Sequence, residues 1–362
     1  SRWYSHVVNV LAITAFFGWG LISGDWRLAT NIAAAVLIIT CPCALGLAVP
    51  AVLTAASGRL FCQGVLLKDG DAFERLAQID SVVFDKTGTL TTGRPVLTNA
   101  DDLPTEALAL AAGLAEGSAH PLSRAIAHAA RETGTRATCL TEIVEHPGLG
   151  TEAKRGGETI RLGRAEWVGA SVQSDVTTSW LRVGDADPTA LRFTDELRPE
   201  AEETVARLRA AGLPVTLLSG DGDAPVRALA DRLGIETWIA RATPTDKVAH
   251  LQGLRDAGRK PLMIGDGLND AAALAAAHVS MSPASAVDAS RSAADLILIG
   301  DRIDRAFDAW TLSRTARSRI LENFGMAFAY NVVTVPIAYA GFVTPLVAAI
   351  AMSFSSIIVS LN

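Results

Sequence analysis

Four long apolar runs, two near each end of the chain, dominate the hydrophobic pattern. None contains a charged residue, and short polar turns join them in pairs; the runs are 7–22, 32–54, 324–340 and 343–361. Their lengths approach the roughly 20 residues that an α-helix needs to cross a bilayer. The pattern therefore predicts two membrane hairpins. The alternative, buried core helices of a soluble protein, is less favoured because the runs are so long and free of charge.

Between the hairpins, short apolar runs alternate with helical periodicity. The first three runs end in polar loops that contain glycine. The short apolar runs are 82–84, 215–218, 262–264, 279–281 and 296–299. Strands that alternate with helices predict a mostly parallel sheet with helices on both faces, which is a doubly wound α/β domain.

An insertion interrupts this domain at about residues 94–187. Two Ala-rich segments, 104–115 and 121–132, predict helices. Three segments predict strands: 139–145, 151–154 and 159–162. Gly156-Gly157 predicts a hairpin turn between the last two strands. The insertion is therefore expected to be a separate α+β domain.

Asp85 stands at the end of the first short strand, beside a polar turn. Open α/β sheets carry their chemistry at this position. Side chains suited to phosphoryl transfer follow the later strands: Ser219, Lys247, Asp266 and Asp270. Asp85 would be the nucleophile that forms an acyl-phosphate, and Mg²⁺ would neutralise the phosphate. Lys247 would stabilise the charge on the phosphate oxygens.

Thr87 stands two residues after the expected nucleophile. Phosphatases with this layout usually carry a second Asp there, which acts as acid and base when the intermediate is hydrolysed. A threonine does not ionise near neutral pH, so it cannot take that part. The aspartyl-phosphate is therefore expected to be long-lived, as a conformational cycle driven by phosphorylation requires.

Four stretches together resemble the P-type ATPases, whose phosphorylation domain has the haloacid dehalogenase-like fold. They are DKTGTLT at 85–91, SGD at 219–221, TPTDK at 243–247 and GDGLND at 265–270. The family usually has Thr where this chain has Ser219, which keeps the hydroxyl. The resemblance implies catalytic roles for Asp85, Lys86, Thr87, Ser219, Gly220, Asp221, Lys247 and Asp270. It also implies ATP as phosphate donor and Mg²⁺ bound by Asp85, Thr87 and Asp266.

The stretch DELR at 195–198 resembles the family's segment before the second loop. The alternative is that its charges are ordinary solvated residues at the start of a helix.

The inserted domain resembles the family's nucleotide-binding domain. Residues 117–121 are similar to its SEHP motif and residues 147–150 to its glycine pair. The resemblance implies that ATP is bound by Glu116, His120, Pro121, Gly148 and Gly150. The chain departs from the family at three positions. Ala119 replaces the Glu before the histidine, and the acidic residue usually found five positions before that histidine is displaced by one, to Glu116. Arg164 replaces an Asn, so the role of that Asn is not carried over. A His-Pro pair also begins many ordinary helices, which is the alternative.

Cys41-Pro42-Cys43 interrupts the second apolar run and predicts a metal site. Two side chains two residues apart point about 200° apart on a regular helix. Pro42 loosens the helix, so that both thiols can converge on one ion. Polar residues at membrane depth are usually functional. A plain kink with two cysteines is the alternative.

The Cys-Pro-Cys motif resembles the metal-binding helix of the heavy-metal (type IB) P-type ATPases. The pairs Tyr330-Asn331 and Met352…Ser356 resemble patterns of the copper-transporting members, with Met352 and Ser356 on one helix face. The resemblance implies a copper site formed by Cys41, Cys43, Tyr330, Asn331, Met352 and Ser356. Thiolates and a thioether are soft ligands that select Cu(I). A Zn²⁺ or Cd²⁺ pump, the alternative, would need extra negative charge within the last two runs.

Composition narrows the class further. The chain has 362 residues, 49% hydrophobic and 19% charged, with net charge −6, which argues against binding to nucleic acid. Four cysteines without framework spacing fit a reduced compartment. The chain begins with Ser and ends inside an apolar run, so a fragment without a signal peptide is expected. Basic residues flank the hairpins and predict that the central region is cytosolic; they are Arg59, Lys68, Arg75, Arg314, Arg317 and Arg319.

The expected organisation has six parts. They are a membrane hairpin (1–57), a linker and the first part of the phosphorylation domain (58–95), the nucleotide-binding domain (96–189), the rest of the phosphorylation domain (190–300), an amphipathic cytosolic helix (301–321) and a second membrane hairpin (322–362).

The hypothesis from sequence alone is the carboxyl-terminal part of an integral-membrane ATPase that exports Cu(I), in a bacterial plasma membrane. Lipid, ATP and a copper ion or copper chaperone are the expected partners. A zinc or cadmium pump and a membrane-tethered phosphatase are the alternatives. The sequence has no TGE actuator loop, so we expect phosphorylation with poor steady turnover.

Overall fold

The computed structural model describes residues 2–40, 43–170, 176–266, 270–286, 288–300 and 302–361. The chain forms two compact units. One consists of residues 1–63 and 309–362, and the other of residues 64–308.

The helices are numbered in chain order. They are α1 (Arg2–Ser23), α2 (Trp26–Ile39), α3 (Cys43–Cys62), α4 (Gly70–Leu76), α5 (Thr105–Ala115), α6 (Pro121–Glu132), α7 (Ala165–Val168), α8 (Ala201–Ala210), α9 (Asp223–Leu233), α10 (Pro244–Asp256), α11 (Ala271–Ala276), α12 (Asp288–Ala293), α13 (Arg305–Tyr339) and α14 (Pro345–Leu361).

The strands are numbered in the same way. They are β1 (Val65–Leu67), β2 (Ser81–Asp85), β3 (Thr91–Leu97), β4 (Thr141–His146), β5 (Gly150–Arg155), β6 (Glu158–Gly163), β7 (Thr178–Val183), β8 (Thr189–Leu197), β9 (Val215–Leu218), β10 (Thr237–Ile239), β11 (Pro261–Ile264), β12 (Val279–Pro283) and β13 (Leu296–Leu298).

A seven-stranded sheet forms the centre of the unit at 64–308, in the order β1-β13-β12-β11-β2-β9-β10. All neighbouring strands are parallel except β1 and β13. Every residue of the interior strand β2 is buried, as expected for an apolar strand covered on both faces. The prediction of a mostly parallel, doubly wound sheet is confirmed.

The register of this sheet brings its loops to one edge. Phe84 pairs with Leu217 on one side and Ile264 on the other, and Asp85 pairs with Leu218. Because the three strands are parallel, the residues that follow β2, β9 and β11 leave the sheet at the same level. Asp85, the Ser219 loop and the Asp266 loop therefore share the carboxyl edge.

A second sheet has six antiparallel strands in the order β3-β8-β7-β6-β5-β4. Helices α5 and α6 supply apolar side chains to its core, which includes Leu114, Ile126, Ile160 and Phe193. The two predicted helices and three predicted strands of the insertion are present. The predicted hairpin turn at Gly156-Gly157 joins β5 to β6, with φ of +60° and +92°.

Strands β3, β7 and β8 were not predicted. Strand β3 contains Gly93 and Pro95, which obscure its pattern, and its pairing with β8 carries an irregularity. The predicted return to the phosphorylation domain at residue 190 falls inside β8. The chain stays in the second sheet until Leu197, because β8 pairs with β3 on one side and β7 on the other.

The unit at 1–63 and 309–362 is helical. Helix α2 packs against α1 and α14, and α14 also packs against α3. Its buried side chains are mostly small, including Ala12, Ala35, Ala338 and Ala348. Large apolar side chains lie outside: Leu21 is 78% exposed and Phe328 is 72% exposed. Small residues inside and large apolar residues outside are typical of helices packed within lipid.

Two helices among the described residues are long and apolar enough to cross a membrane, by length and composition: His6–Ser23 and Arg305–Tyr339. Helices α2 and α14 are shorter apolar helices. The prediction of four spanning helices therefore stays a prediction. The helix expected at 301–321 and most of the apolar run after it belong to one continuous helix, α13, which begins at Arg305.

An ion pair between Arg75 and Asp295 connects helix α4 to strands β12 and β13 of the seven-stranded sheet. The Arg75 guanidinium donates from Nη2 to Asp295 Oδ1 at 2.8 Å and from Nη1 to Asp295 Oδ2 at 3.3 Å. Asp295 Oδ2 also accepts from the backbone N–H of Ser280 at 3.0 Å. The carboxylate therefore joins helix α4 to strand β12 just before β13 begins.

We predict that Asp295→Ala lowers the free energy of unfolding by about 2 kcal/mol, because the substitution removes the carboxylate that pairs with the half-buried Arg75 guanidinium and accepts from the Ser280 N–H. The measurement is the urea midpoint of the detergent-solubilised protein, followed by tryptophan fluorescence. Asp288→Ala is the matched control, since that side chain is 90% exposed. Equal midpoints for the two variants would contradict the prediction.

Candidate active site and nucleotide cavity

Asp85 begins a tight turn at the end of β2 and is only 5% exposed. The turn spans Lys86–Leu90, and Gly88 in it has φ of +70°, which L side chains rarely adopt. A Cβ atom on Gly88 would overlap the Asp266 carboxylate. The turn is also closed by Thr91, whose Oγ1 accepts from Gly88 N and donates to the Lys86 carbonyl. Glycine is therefore needed both for the backbone angle and for the approach of Asp266.

Lys247 reaches this turn from the first turn of α10. Pro244 occupies the first turn of that helix, and Thr243 and Asp246 form a reciprocal capping box there. The Lys247 ammonium donates to Asp85 Oδ1 at 2.5 Å and to Asp270 Oδ1 at 2.6 Å. A buried cation is tolerated only when it is paired in this way. Burial by itself would lower the pKa of Lys247, but Asp85 and Asp270 raise it above its ordinary value.

Three carboxylates meet at the carboxyl edge of the sheet. One oxygen atom from each of Asp85, Asp266 and Asp270 lies within 4.8 Å of the others. Burial raises the pKa of Asp85 to about 7, the charge of Asp270 acts in the same direction, and Lys247 opposes both. Burial also raises the pKa of Asp266 to about 6, with Asp270 adding to it and Arg198 opposing it. The trio thus carries more negative charge than its neighbours balance.

This donor set fits Mg²⁺. The ion prefers carboxylate oxygens and binds through one or two carboxylates together with phosphate oxygens and water. The excess negative charge of the trio is the electrostatic condition for a divalent cation. Asp85 and Asp266, two of the residues assigned to magnesium from sequence, are among the three that lie together. Thr87, the third, has an exposed side chain, and its contact with magnesium stays a prediction.

The second predicted loop follows β9. The buried Ser219 hydroxyl accepts from the Asp221 N–H at 3.1 Å, which shapes the loop through Gly220. The buried Lys86 ammonium donates to Asp221 and lies 3.5 Å from Asp195 Oδ2. Lys86 therefore links the turn at Lys86–Leu90 to the Ser219 loop and to the end of β8.

Arg198 is a residue whose role the sequence left open. It is buried, donates from Nε to the Thr89 carbonyl and from Nη2 to the Gly88 carbonyl, both at 2.8 Å. It thereby holds the nucleophile turn by two of its carbonyl groups. The interpretation of residues 195–198 as solvated charges is wrong for Arg198. The signal that could have identified it was the resemblance of DELR to the family's segment.

A cavity of about 320 Å³ lies in the inserted domain, between the start of α6 and strands β4 to β7. Of the five residues predicted to bind nucleotide, His120, Gly148 and Gly150 line it, whereas Glu116 and Pro121 do not. His120 Nδ1 accepts from the Leu122 N–H at 3.2 Å, which leaves Nε2 as the nitrogen free to donate.

Gly150 was predicted to let a ligand approach the backbone, but here the glycine is needed for the packing of two strands. A Cβ there would overlap the Leu162 carbonyl and the Gly163 backbone, so strand β6 needs the glycine. Gly148, with φ of +77°, has open space around it. Arg164, whose role was not carried over from the family, also lines the cavity.

The predicted copper residues lie in the helical unit. Tyr330 and Asn331 on α13, and Met352 and Ser356 on α14, are all half-buried. The Asn331 Oδ1 atom is buried and has no hydrogen-bond partner within the described part of the chain. Cys41 lies outside the described residues, and Cys43 begins α3 without a described side chain.

The comparisons with known proteins agree with this architecture. The sequence model for haloacid dehalogenase-like hydrolases matches residues 79–278. The chain is 48% identical, over 99% of its length, to nitrogen fixation protein FixI of Rhizobium leguminosarum bv. viciae. It is 37% identical, over 98% of its length, to a copper-exporting P-type ATPase of Mycobacterium tuberculosis (strain ATCC 25618 / H37Rv). The chain spans about half the length of these curated relatives, 48% in each case.

The solved structures to which the chain is similar are also ATPases of this kind. The chain is similar to a zinc-transporting PIB-type ATPase in the E2.Pi state, with a TM-score of 0.90 and 27% identity over 99% of this chain and 62% of that one. It is also similar to the catalytic domain of the CPx-ATPase CopB-B, with a TM-score of 0.61 and 31% identity over 71% of this chain and 98% of that one.

We predict that Gly88→Ala weakens binding of a divalent ion at least tenfold, because the new Cβ displaces the Asp266 carboxylate and strains the turn. Mn²⁺, used in place of Mg²⁺, is titrated and its free fraction read by electron paramagnetic resonance. Gly258→Ala is the matched control, since Gly258 also has a positive φ, +78°, but open space around it. Unchanged Mn²⁺ affinity in Gly88→Ala would contradict the assigned geometry.

Proposed function

Since this chain belongs to the haloacid dehalogenase-like hydrolase family and its relatives are P-type ATPases, we propose that it is part of a pump that exports Cu(I) across a membrane at the expense of ATP. The observation that carries the proposal is the placement of buried Asp85 between Lys247 and two further carboxylates. Such a site both positions a carboxylate nucleophile and provides for the charge of a phosphoryl group.

The proposed reaction begins with ATP held by the inserted domain. An oxygen of Asp85 attacks the γ-phosphorus, the new O–P bond forms, and the bond to the bridging oxygen breaks with release of ADP. Lys247, 2.5 Å from Asp85 Oδ1, favours the ionised form of that carboxylate, in opposition to burial, and would stabilise charge on the phosphoryl oxygens. Asp85, Asp266 and Asp270 would hold Mg²⁺, which would supply further neutralisation of the phosphate charge. The hydroxyl of Ser219 is placed at the same edge to donate to the phosphoryl group.

Thr87 supports a stable aspartyl-phosphate. Its side chain is exposed beside the nucleophile and has no acid–base function near neutral pH. Hydrolysis of the intermediate would then depend on a group supplied from outside this turn. A membrane-tethered phosphatase, the alternative of a different class, is disfavoured for the same reason, and rapid hydrolysis of a simple phosphate ester would favour it.

The proposed cargo site lies in the helical unit. Thiolates from Cys41 and Cys43 with the Met352 thioether form a soft donor set that suits Cu(I). The buried Asn331 Oδ1, which has no hydrogen-bond partner among the described residues, supports a polar site among these helices, because such an atom is costly without a partner. Relatives whose names include copper export favour the same ion. We place the protein in a bacterial plasma membrane with residues 64–308 in the cytosol, where ATP and a copper chaperone are available.

A zinc pump is the second candidate, and the similarity to a zinc-transporting PIB-type ATPase favours it. A divalent ion in a membrane site needs negative charge beyond that of two thiolates, and the last two apolar runs contain no Asp or Glu. The donor chemistry therefore favours copper.

We predict that γ-labelled ATP transfers its label to the protein in the presence of Cu(I), and that the acid-stable label is absent in Asp85→Asn and in Cys41→Ala. Asp85→Asn removes the nucleophile, and Cys41→Ala removes the metal thiolate to which phosphorylation is coupled. Acid-quenched gel autoradiography measures the label.

Two matched variants control this experiment. Asp256→Asn changes an exposed Asp at the end of α10, and Cys139→Ala changes an exposed free cysteine; both should retain full labelling. Label that persists without copper and in Cys41→Ala would remove the copper assignment. Label that persists in Asp85→Asn would remove the phosphorylation assignment.

We further predict that Met352→Leu reduces the Cu(I) stimulation of phosphorylation about tenfold, because leucine fills the same space without the thioether. Met326→Leu on α13, at a 38% exposed position, should leave the stimulation unchanged. The measurement is initial phosphorylation rate against free Cu(I), with Ag(I) and Zn²⁺ in parallel. Stimulation by Zn²⁺ alone would establish the zinc candidate instead.

A further inference from the structure

Glu145 on β4 is an acidic residue of the nucleotide cavity for which the mechanism above has no use. It lines the cavity together with Ser118, His120, Gly148 and Arg164. Glu116, the acidic residue predicted from sequence, follows the last turn of α5 and is not among the lining residues. The cavity therefore contains a carboxylate, but a different one from that expected.

Hydrogen bonds hold this carboxylate in place. The Ser118 hydroxyl donates to Glu145 Oε1 at 2.6 Å, and the same hydroxyl oxygen accepts from the His120 N–H at 3.1 Å. Ser118 thereby ties Glu145 to the start of α6, where His120 caps the helix. Over the described ranges, the second oxygen, Oε2, has no hydrogen-bond or ion-pair partner. One acceptor atom is therefore held at the cavity and left available.

We propose that Glu145 determines the base specificity of this cavity by accepting a hydrogen bond from the exocyclic amino group of adenine. This inference rests on the proposed use of ATP. A carboxylate accepts from an amino group at purine C6 and repels a carbonyl oxygen at the same position.

The position of Glu145 explains how the chain can lack the family's Glu before the histidine. Ala119 offers no polar group, and Ser118 instead recruits a carboxylate from β4. The loop before α6 and the strand facing it thus share one polar link. In this proposal the base is selected by Glu145, which lies well after His120 in the sequence and reaches the cavity from β4.

The test compares ATP with inosine triphosphate, which carries a carbonyl oxygen in place of the amino group at C6. Both dissociation constants are measured by equilibrium dialysis in EDTA, where no phosphoryl transfer occurs. The variants are Glu145→Gln and Ser118→Ala. Glu116→Gln makes the same change at the residue that the sequence predicted to bind nucleotide. Glu142→Gln makes it at an exposed residue of β4, the strand that carries Glu145.

We expect the preference for ATP over inosine triphosphate to fall about tenfold in Glu145→Gln, because a neutral amide replaces the charged acceptor and its NH2 group can donate to the inosine carbonyl. Ser118→Ala should lower it less, and the two control variants should keep it. Retained binding of inosine triphosphate by Glu145→Gln shows that the cavity is folded.

Three outcomes would overturn the proposal. They are an unchanged preference in Glu145→Gln, an equal loss of both nucleotides in that variant, and loss of preference in Glu116→Gln instead. If the wild-type protein binds neither nucleotide, the proposed ATP-driven function fails together with this inference. If Glu145 sets the preference but Asp85 is not phosphorylated, the proposed function fails and the inference stands.

Discussion

Charge balance at the carboxyl edge of the parallel sheet is the constraint on which the catalytic unit depends. Two buried carboxylates, Asp85 and Asp270, pair with one buried ammonium, Lys247, beside the half-buried carboxylate of Asp266. Removing a partner from this buried pairing would leave an uncompensated charge in a medium of low polarity. The surrounding structure serves this arrangement. Gly88 lets Asp266 approach, Arg198 holds the turn by its carbonyl groups, and the capping box fixes the start of α10, from which Lys247 extends.

The same turn is joined mechanically to the inserted domain. Strand β3 leaves directly after it, strand β8 returns to Arg198, and the two strands pair with each other. Lys86 adds a polar link, because it contacts Asp195 at the end of β8 and Asp221 in the Ser219 loop. The segments that carry the nucleotide cavity thus begin and end at residues that hold the nucleophile in place.

Unlike in the unit that contains the parallel sheet, small residues are buried and large apolar side chains are exposed in the helical unit. Its interior is made of alanine and a few larger apolar side chains, while large apolar residues face outward. Polar groups in such surroundings need partners. The Trp19 indole donates to the Tyr339 carbonyl at 2.9 Å, and the Asn323 amide donates to the Val359 carbonyl at 3.3 Å. The Tyr330 hydroxyl and Asn331 Oδ1 have no such partner among the described residues, and that supports a polar site nearby.

The sequence alone determined the features that depend on neighbouring residues: the apolar runs, the doubly wound sheet, the turn after Asp85, and the hairpin at Gly156-Gly157. Local periodicity and glycine positions encode these directly. Only the tertiary structure decided that Arg198 contacts the nucleophile turn, that β8 pairs with β3, and that Glu145 rather than Glu116 lines the cavity. Those contacts join segments far apart in the chain, and their pairing depends on packing and register, which no local pattern specifies.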